Sequence, residues 1–273
     1  MAIKLIALDL DGTTLNKESK LSEGNRRALQ AAADKGVNIV VATGRPYCAL
    51  PKEILEFDPV RYVLTSNGAR IIDLHEGKAF YENCIAPHAV EAAVEMLKPL
   101  DYVLETFVDG VAYIEGWYYR QVEETQKCFR NVEYILNTRH PVDDFYGFML
   151  KNKDRLENIN VNFEDLSVKP ELKEKLETLP DVTITSSFDH NLEIGGATTS
   201  KAEALRQMGN LLGIDRSEMM AAGDSPNDMA MLKVAGVAVA VGNAKPELKE
   251  IADFIAPDHD DDGVAAAVEK YVL

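Results

Sequence analysis

Cysteine is scarce in this chain. Three residues among 273, Cys48, Cys84 and Cys128, lie far apart and form no CxxC pair. So sparse and odd a set excludes a disulfide scaffold, and reduced thiols packed as small core residues in a cytoplasmic setting are expected. Long apolar runs are missing too. None approaches the ~20 residues of a membrane helix, and the opening MAIKLIALDL is too short and too acidic at its end for a signal peptide. Positive charge is in deficit, with 29 Lys and Arg against 45 Asp and Glu, a net charge of -16 and a pI near 4.8. Such a chain is repelled by nucleic acid and by anionic membranes, so neither is an expected partner. A small anionic substrate remains open, because it feels the local field of a pocket. The five histidines stand at no metal-binding spacing, and nothing in the chain reveals an oligomeric state.

What is present is a large apolar fraction, 46%, enough for a sizeable core in one large domain or two smaller ones. IKLIALD reads as a buried parallel strand, an apolar run ending in polar residues. Ser22 caps a helix, EGNRRALQAAADK, which Gly36 stops. VNIVVATG and RYVLTSNGA follow as further strands, so right-handed crossovers build a mostly parallel sheet. The character changes near residue 82. PHAVEAAVEMLK is helical by pattern, DYVLETFVDGVAYIEG reads as a hairpin turning at Asp109-Gly110, WYYRQVEETQKCFR as a helix and YGFMLKN as a strand. A charged stretch, the helix KPELKEKLETL and the strand DVTITSSF complete an α+β module. From residue 190 the first pattern returns with NLEIGG, SKAEALRQMGNLLG, MMAAGDS and a helix opening at Pro226. The expectation is an α/β, Rossmann-like parallel-sheet core over 1–82 and 190–273, with an α+β domain inserted over 83–189. The acidic DHDDDG, residues 258–263, reads as a solvated helix start.

In an open parallel sheet, ligands sit beyond the carboxyl ends of the strands. DLDGT (9–13), ATGR (42–45), SNGA (66–69) and GDSPND (223–228) all fall there. If they converge, Asp9, Asp11, Asp224 and Asp228 make a nest of negative charge that is stable only around a cation or with some carboxyls protonated. Hard oxygen ligands without His or Cys point to Mg²⁺, which completes its shell with water and phosphate oxygens. Thr43, the backbone N–H groups of Gly44 and Arg45 at a helix start, and Lys201 at the start of the next helix suit a phosphate. Metal, lysine, hydroxyl and amides around one oxyanion equip a site for phosphoryl transfer. Asp9 and Asp11, two apart on an extended segment, share one side. One can attack phosphorus and the other can serve the leaving oxygen and then water. Gly12 permits the sharp exit. The calcium-loop reading of DLDGTTLNKESK fails, because Thr13, Thr14 and Lys20 stand where that loop needs an acid or amide, a glycine and a glutamate.

These segments, in this order, resemble the haloacid dehalogenase-like phosphatase superfamily, and the insertion after the third strand resembles the large C2-type cap of its Cof-type subgroup. The resemblance covers essentially the whole chain. It implies Asp9 as nucleophile, Asp11 as general acid and base, and Thr43 and Lys201 as phosphate ligands. It further implies Asp224 as a Mg²⁺ ligand, Asp228 as its supporting acid and Asn227 beside the phosphate. The metal would also take Asp9 and the backbone carbonyl of Asp11, and SNGA with Asn67 would line the site. Ala202 follows Lys201 where the subgroup commonly has glycine. The resemblance implies a Mg²⁺-dependent phosphomonoester hydrolase acting on a small phosphorylated metabolite, sugar phosphates first, through an aspartyl phosphate. A phosphomutase of the phosphomannomutase type and a non-catalytic sugar-phosphate-binding regulator are the alternatives. Specificity is expected in the inserted domain, where GWYYR (116–120) and DDFYGF (143–148) either read the substrate or pack the core. Arg45 either reaches a second anionic group or makes an ion pair. Glu193 and His190 either face the pocket or are structural.

Overall fold

Leu5–Leu8 forms a strand with every residue buried. The computed structural model describes residues 2–273, and this strand lies at the centre of its larger sheet. It pairs in parallel with Asn38–Ala42 on one side and Met219–Gly223 on the other. The eight-stranded order is Phe254–Ile255, Val237–Ala240, Met219–Gly223, Leu5–Leu8, Asn38–Ala42, Val60–Thr65, Arg70–Asp73, Lys78–Glu82. The first six run parallel and the last two add an antiparallel hairpin edge. That hairpin was not anticipated, since its outer strand alternates exposed and half-buried residues and carries a weak apolar signal.

Alternation along the central strand feeds two cores. Ile6 and Leu8 pack with Leu29 and Ala32 of the helix Glu23–Asp34 and with Val264 and Val268 of Gly263–Tyr271. Leu5 and Ala7 pack on the other face with Leu205 and Met208 of Lys201–Leu212. Burial on both faces is why the strand reads as a continuous apolar run. The helix starts are locally encoded. Ser22 accepts from Asn25 N at 3.1 Å, and Ser200 accepts from Glu203 N at 3.1 Å. Asp258 likewise accepts from Asp260 N in the turn before Gly263–Tyr271.

The chain forms two compact units. The first runs to Gly44 and resumes over Leu50–Glu82 and Ser200–Leu273; the second takes Arg45–Ala49 and Asn83–Thr199. The return to the first unit therefore comes at residue 200, not 190. Asn191–Gly196 pairs antiparallel with both Leu156–Asn162 and Val182–Thr185, so it belongs to the second sheet.

That second sheet has six strands in the order Val182–Thr185, Asn191–Gly196, Leu156–Asn162, Val103–Val108, Val111–Glu115, Arg139–Val142. The expected hairpin is there, with Asp109 (φ 51) and Gly110 (φ 78) both left-handed at its turn. Several elements differ from the sequence reading, which had neither the helix Val132–Thr138 nor the strand Arg139–Val142. Phe145–Lys151 is a helix, not a strand; Asp144 accepts from Gly147 N at 3.0 Å, and Phe145 and Met149, one turn apart, enter the core together. Leu156–Asn162, hidden in the charged stretch, is a fully buried strand. One sheet face packs Leu104, Ile159, Val161 and Leu192 against the helices Pro87–Leu97 and Lys169–Leu176. Part of the other carries Ile114 against Tyr118 and Val122 of Gly116–Thr125. Tyr118 and Phe148 thus pack the unit, while Trp117 is exposed. Among the described residues no helix is long and apolar enough to cross a membrane.

Candidate active site

Asp9 leaves Leu5–Leu8, and Asp224 leaves the neighbouring parallel strand Met219–Gly223. The register pairs Leu8 with Ala222, and Asp9 N donates to Ala222 O at 3.0 Å, so the two carboxylates emerge side by side. Asp228 comes from the turn Pro226–Asp228, where its Oδ2 accepts from Asp224 N and Ser225 N at 3.1 Å each. One oxygen each of Asp9, Asp224 and Asp228 lie within 4.8 Å of one another.

Lys201 closes this group. As first residue of Lys201–Leu212 it is fully buried, and its Nζ donates to Asp9 Oδ1 and Asp228 Oδ1, both at 2.6 Å. Two of three ammonium hydrogens are thereby used and one remains. Three carboxylates against one ammonium leave an excess of two negative charges when all are ionised. Burial, then the charge of Asp228, pushes the Asp9 carboxyl well above its ordinary range; Lys201 opposes this and Asp224 adds to it. Asp224 is also raised, by burial first and by Asp228 second. Burial opposes the charge of the Lys201 ammonium, but Asp228 and Asp9 outweigh it, raise the group and hold it charged.

Asp224 is steered by two hydroxyls that the sequence reading passed over. Thr13 Oγ1 donates to its Oδ1 at 3.1 Å, and Ser225 Oγ to its Oδ2 at 2.8 Å. Both lie within the acidic motifs DLDGT and GDSPND, which was the signal available. Gly12, at φ +76, is required here: a Cβ would stand 2.9 Å from Asp224 Oδ2. Thr43 follows Asn38–Ala42 and is buried; its carbonyl accepts from Asn67 N at 3.0 Å. Asn67 Oδ1 accepts from Asn227 Nδ2 at 2.9 Å, and a Cβ on Gly44 would meet that Oδ1 at 3.2 Å. Thr43, Gly44, Asn67 and Asn227 therefore adjoin. Asn227 Oδ1 is buried with no hydrogen-bond partner among the described residues.

Three expectations change. Asp11 is exposed and stands outside the buried carboxylate set, because the segment is not extended: Leu10 O accepts from Thr13, Thr14 and Leu15 N in a tight loop. No α-helix starts at Gly44 and Arg45; a single turn, Tyr47–Ala49, precedes the four-residue helix Lys52–Leu55. The Arg45 side chain belongs with the second unit, where Nη1 donates to Ala49 O at 2.9 Å and the guanidinium carbon lies 5.3 Å from the Tyr134 ring centre. Within the second unit Glu193 is buried and bonded to Asn191 at 2.9 Å and Asn158 at 3.3 Å. His190 Nδ1 lies 3.1 Å from Phe163 O. Asp258, His259 and Asp260 also bring ligand atoms within 4.8 Å of one another, a grouping the spacing of the histidines did not announce; it lies on a partly exposed turn.

The donor set fits a hard divalent cation. Its side chains offer only oxygen, its surplus is two negative charges, and Asn227 Oδ1 is a buried acceptor without a donor. Fold and site together define a parallel-sheet α/β enzyme core with a carboxylate–lysine centre at the carboxyl ends of adjacent strands. Residues 6–268 match the family model of the haloacid dehalogenase-like hydrolases. The chain is 31% identical over 271 residues to the 5-amino-6-(5-phospho-D-ribitylamino)uracil phosphatase YcsE of Bacillus subtilis, covering 99% of this chain and 96% of that protein. It is 32% identical to the phosphatase YwpJ of the same organism, covering 96% and 98%. A solved haloacid dehalogenase-like hydrolase from B. subtilis superposes with a TM-score of 0.83 at 30% identity, covering 98% of this chain and 99% of that one. The chain belongs to the haloacid dehalogenase-like hydrolases, in their Cof-type branch, and it is an enzyme of the phosphatase class.

Proposed function

We propose that the protein is a Mg²⁺-dependent phosphomonoester hydrolase acting on small phosphorylated metabolites, sugar or polyol phosphates first. The observation that carries this is the buried group of Asp9, Asp224, Asp228 and Lys201. YcsE is named for a phosphorylated ribityl compound, which supports a substrate of that kind.

Asp9, Asp224 and the backbone carbonyl of Asp11 would hold the metal. When bound, the ion neutralises the surplus negative charge and lets an anionic phosphate approach. Asp228 serves as support, since both its oxygens already accept hydrogen bonds. Thr43, the amides of Gly44 and Arg45, Asn67, Asn227 and the third hydrogen of Lys201 orient the phosphate. The Asp9 carboxylate attacks phosphorus; a P–O bond to Asp9 forms, the P–O bond to the alcohol breaks, and Asp11 gives its proton to the leaving oxygen. Water then attacks the aspartyl phosphate, Asp11 takes a proton from it, and Asp9 is released with inorganic phosphate. The exposure of Asp11 suits a group that must reach leaving group and water in turn. The second unit would act as the specificity cap. A cytoplasmic setting belongs to the same proposal and accords with three free cysteines.

The test is a phosphate-release screen over sugar phosphates, nucleotides and cofactor phosphates, with Mg²⁺ and with EDTA. Mg²⁺-dependent release from sugar phosphates is expected. Conversion of a sugar 1-phosphate to its 6-phosphate would reveal a mutase, and binding without any release a regulator.

A further inference from the structure

Asn243 is exposed, yet both ends of its side-chain amide are committed. Its Nδ2 donates to Gly12 O at 2.7 Å, and its Oδ1 accepts from His259 N at 3.2 Å. These partners fix which end of the amide points where, because a carbonyl needs a donor and a peptide N–H needs an acceptor. Neither a carboxylate nor an apolar side chain of that size satisfies both.

Asn243 lies in the short segment after the strand Val237–Ala240. That strand runs parallel to Met219–Gly223, and the segment stays on the acidic loop beside it: Val241 N donates to Gly223 O at 3.4 Å, and Lys245 N to Asp224 O at 3.0 Å. Gly242 N donates to Pro257 O at 3.0 Å, which brings the acidic turn 258–262 alongside. That turn continues the same seam. Asp260 Oδ1 accepts from Lys17 N at 2.8 Å, and Asp262 Oδ1 accepts from Ser22 Oγ at 2.5 Å. The chain leaving Asp9 is thus held at Gly12, Lys17 and Ser22, and Asn243 makes the first of these bonds. All of these residues belong to the first unit.

Gly12 is where the hold matters. Its φ is +76, and glycine takes either hand of φ with similar ease, so the turn is not locked by its own sterics and needs a bond from outside. Its neighbours carry the chemistry. Asp11 precedes it, with the carbonyl proposed above as a metal ligand. Thr13 follows it and donates to Asp224 Oδ1 at 3.1 Å. The segment 241–245 therefore bonds to Gly12 in one acidic motif through Asn243 Nδ2 and to Asp224 in the other through Lys245 N. Such an outer bond sets the spacing of two loops that share a cation.

We infer that Asn243 is a positioning residue: it ties the Asp11–Gly12–Thr13 turn to the Asp224 loop and so sets the affinity of the site for Mg²⁺. This rests on the metal reading proposed above and adds to it a residue outside the acidic motifs.

The test uses the full chain with Asn243→Ala and Asn243→Asp. Calorimetric titration of Mg²⁺ into Asn243→Ala should show an affinity about three- to tenfold below wild type, the size of one neutral hydrogen bond. The thermal midpoint in EDTA should stay close to wild type, because an exposed side chain fills no core. A lowered midpoint with wild-type Mg²⁺ affinity would mark a merely structural bond and overturn the inference. Hydrogen exchange in EDTA reads the tie without the metal. Asn243→Asp keeps the shape and the acceptor for His259 N but turns an oxygen toward Gly12 O. Its exchange over 10–15 should quicken, with 257–262 as protected as in wild type, whereas Asn243→Ala should loosen both. Wild-type exchange over 10–15 in both variants overturns the inference, while turnover by the wild-type enzyme leaves the phosphatase reading standing. A wild-type protein that takes up no Mg²⁺ overturns the metal reading instead, and exchange over 10–15 then decides the tie alone.

Discussion

Lys201 Nζ donates to Asp9 Oδ1 at 2.6 Å, although the two residues stand 192 positions apart in the chain. Both are buried, so the ammonium orients the carboxylate and offsets part of its charge where solvent screening is weak. Such a contact holds the Asp9 carboxylate in one rotamer while leaving its second oxygen available for the attack proposed for it.

Asp9→Asn keeps the shape and an acceptor for Lys201 but removes the carboxylate proposed to attack phosphorus. Turnover should fall by at least about a thousandfold, as for other nucleophile replacements, with the circular dichroism spectrum unchanged. Wild-type turnover by this variant would remove Asp9 from the nucleophile's role.

Lys201→Met leaves Asp9 and Asp228 buried without their cation. Removing one partner of a buried ion pair costs roughly 3–5 kcal/mol. Urea unfolding in EDTA should show a loss of that size. An unfolding curve identical to wild type would mean that the two carboxyls are already neutral in the ion-free protein.

Burial and Asp228 raise the Asp9 carboxyl, and the same causes raise Asp224. The native state then keeps protons that the unfolded chain releases near pH 4. With more protons bound in the native state, stability in EDTA falls as pH rises from about 4 through the raised values. Mg²⁺ competes with those protons, so its stabilising effect should be absent at the acid end and grow over the same window. Thermal melts across pH with Mg²⁺ and with EDTA check this; an increment from Mg²⁺ that is the same at every pH would contradict it.

Gly12→Ala places a methyl group 2.9 Å from Asp224 Oδ2 at a left-handed φ of +76. Strain of this kind costs on the order of 1–3 kcal/mol. The displaced Asp224 should cost more in kcat/KM, beyond roughly 150-fold, than in unfolding free energy. Kinetics and denaturation on one preparation separate the two, and full activity would show that Asp224 does not need its present position.

The strands that deliver Asp9 and Asp224 were legible because a strand buried on both faces leaves an unbroken apolar run with polar residues at its end. Ser22 marked a helix start because a cap bond spans only three residues. Leu156–Asn162 was missed for the opposite reason. Its alternation places Asn158, Asn160 and Asn162 where a pattern reader expects solvent, yet all three are buried, and Asn160 and Asn191 bond across the sheet at 3.0 Å. Phe145–Lys151 looks like a strand by its aromatic content, but Asp144 caps it as a helix and Phe145 and Met149 enter one core a turn apart. Asn191–Gly196 carries the apolar signature of a strand and no mark of which sheet takes it.

By itself the sequence determined the chemistry available and the order of the pieces: acids, hydroxyl and lysine at the ends of strands and the start of a helix, in a parallel α/β core. Those features arise from propensity, capping and periodicity, all settled within a few residues. Only the tertiary structure decided which carboxylates share Lys201, that Asp11 stays outside them, and that Thr13 and Ser225 steer Asp224. Those outcomes depend on strand register and side-chain packing between residues up to 211 positions apart, and no local stretch encodes them.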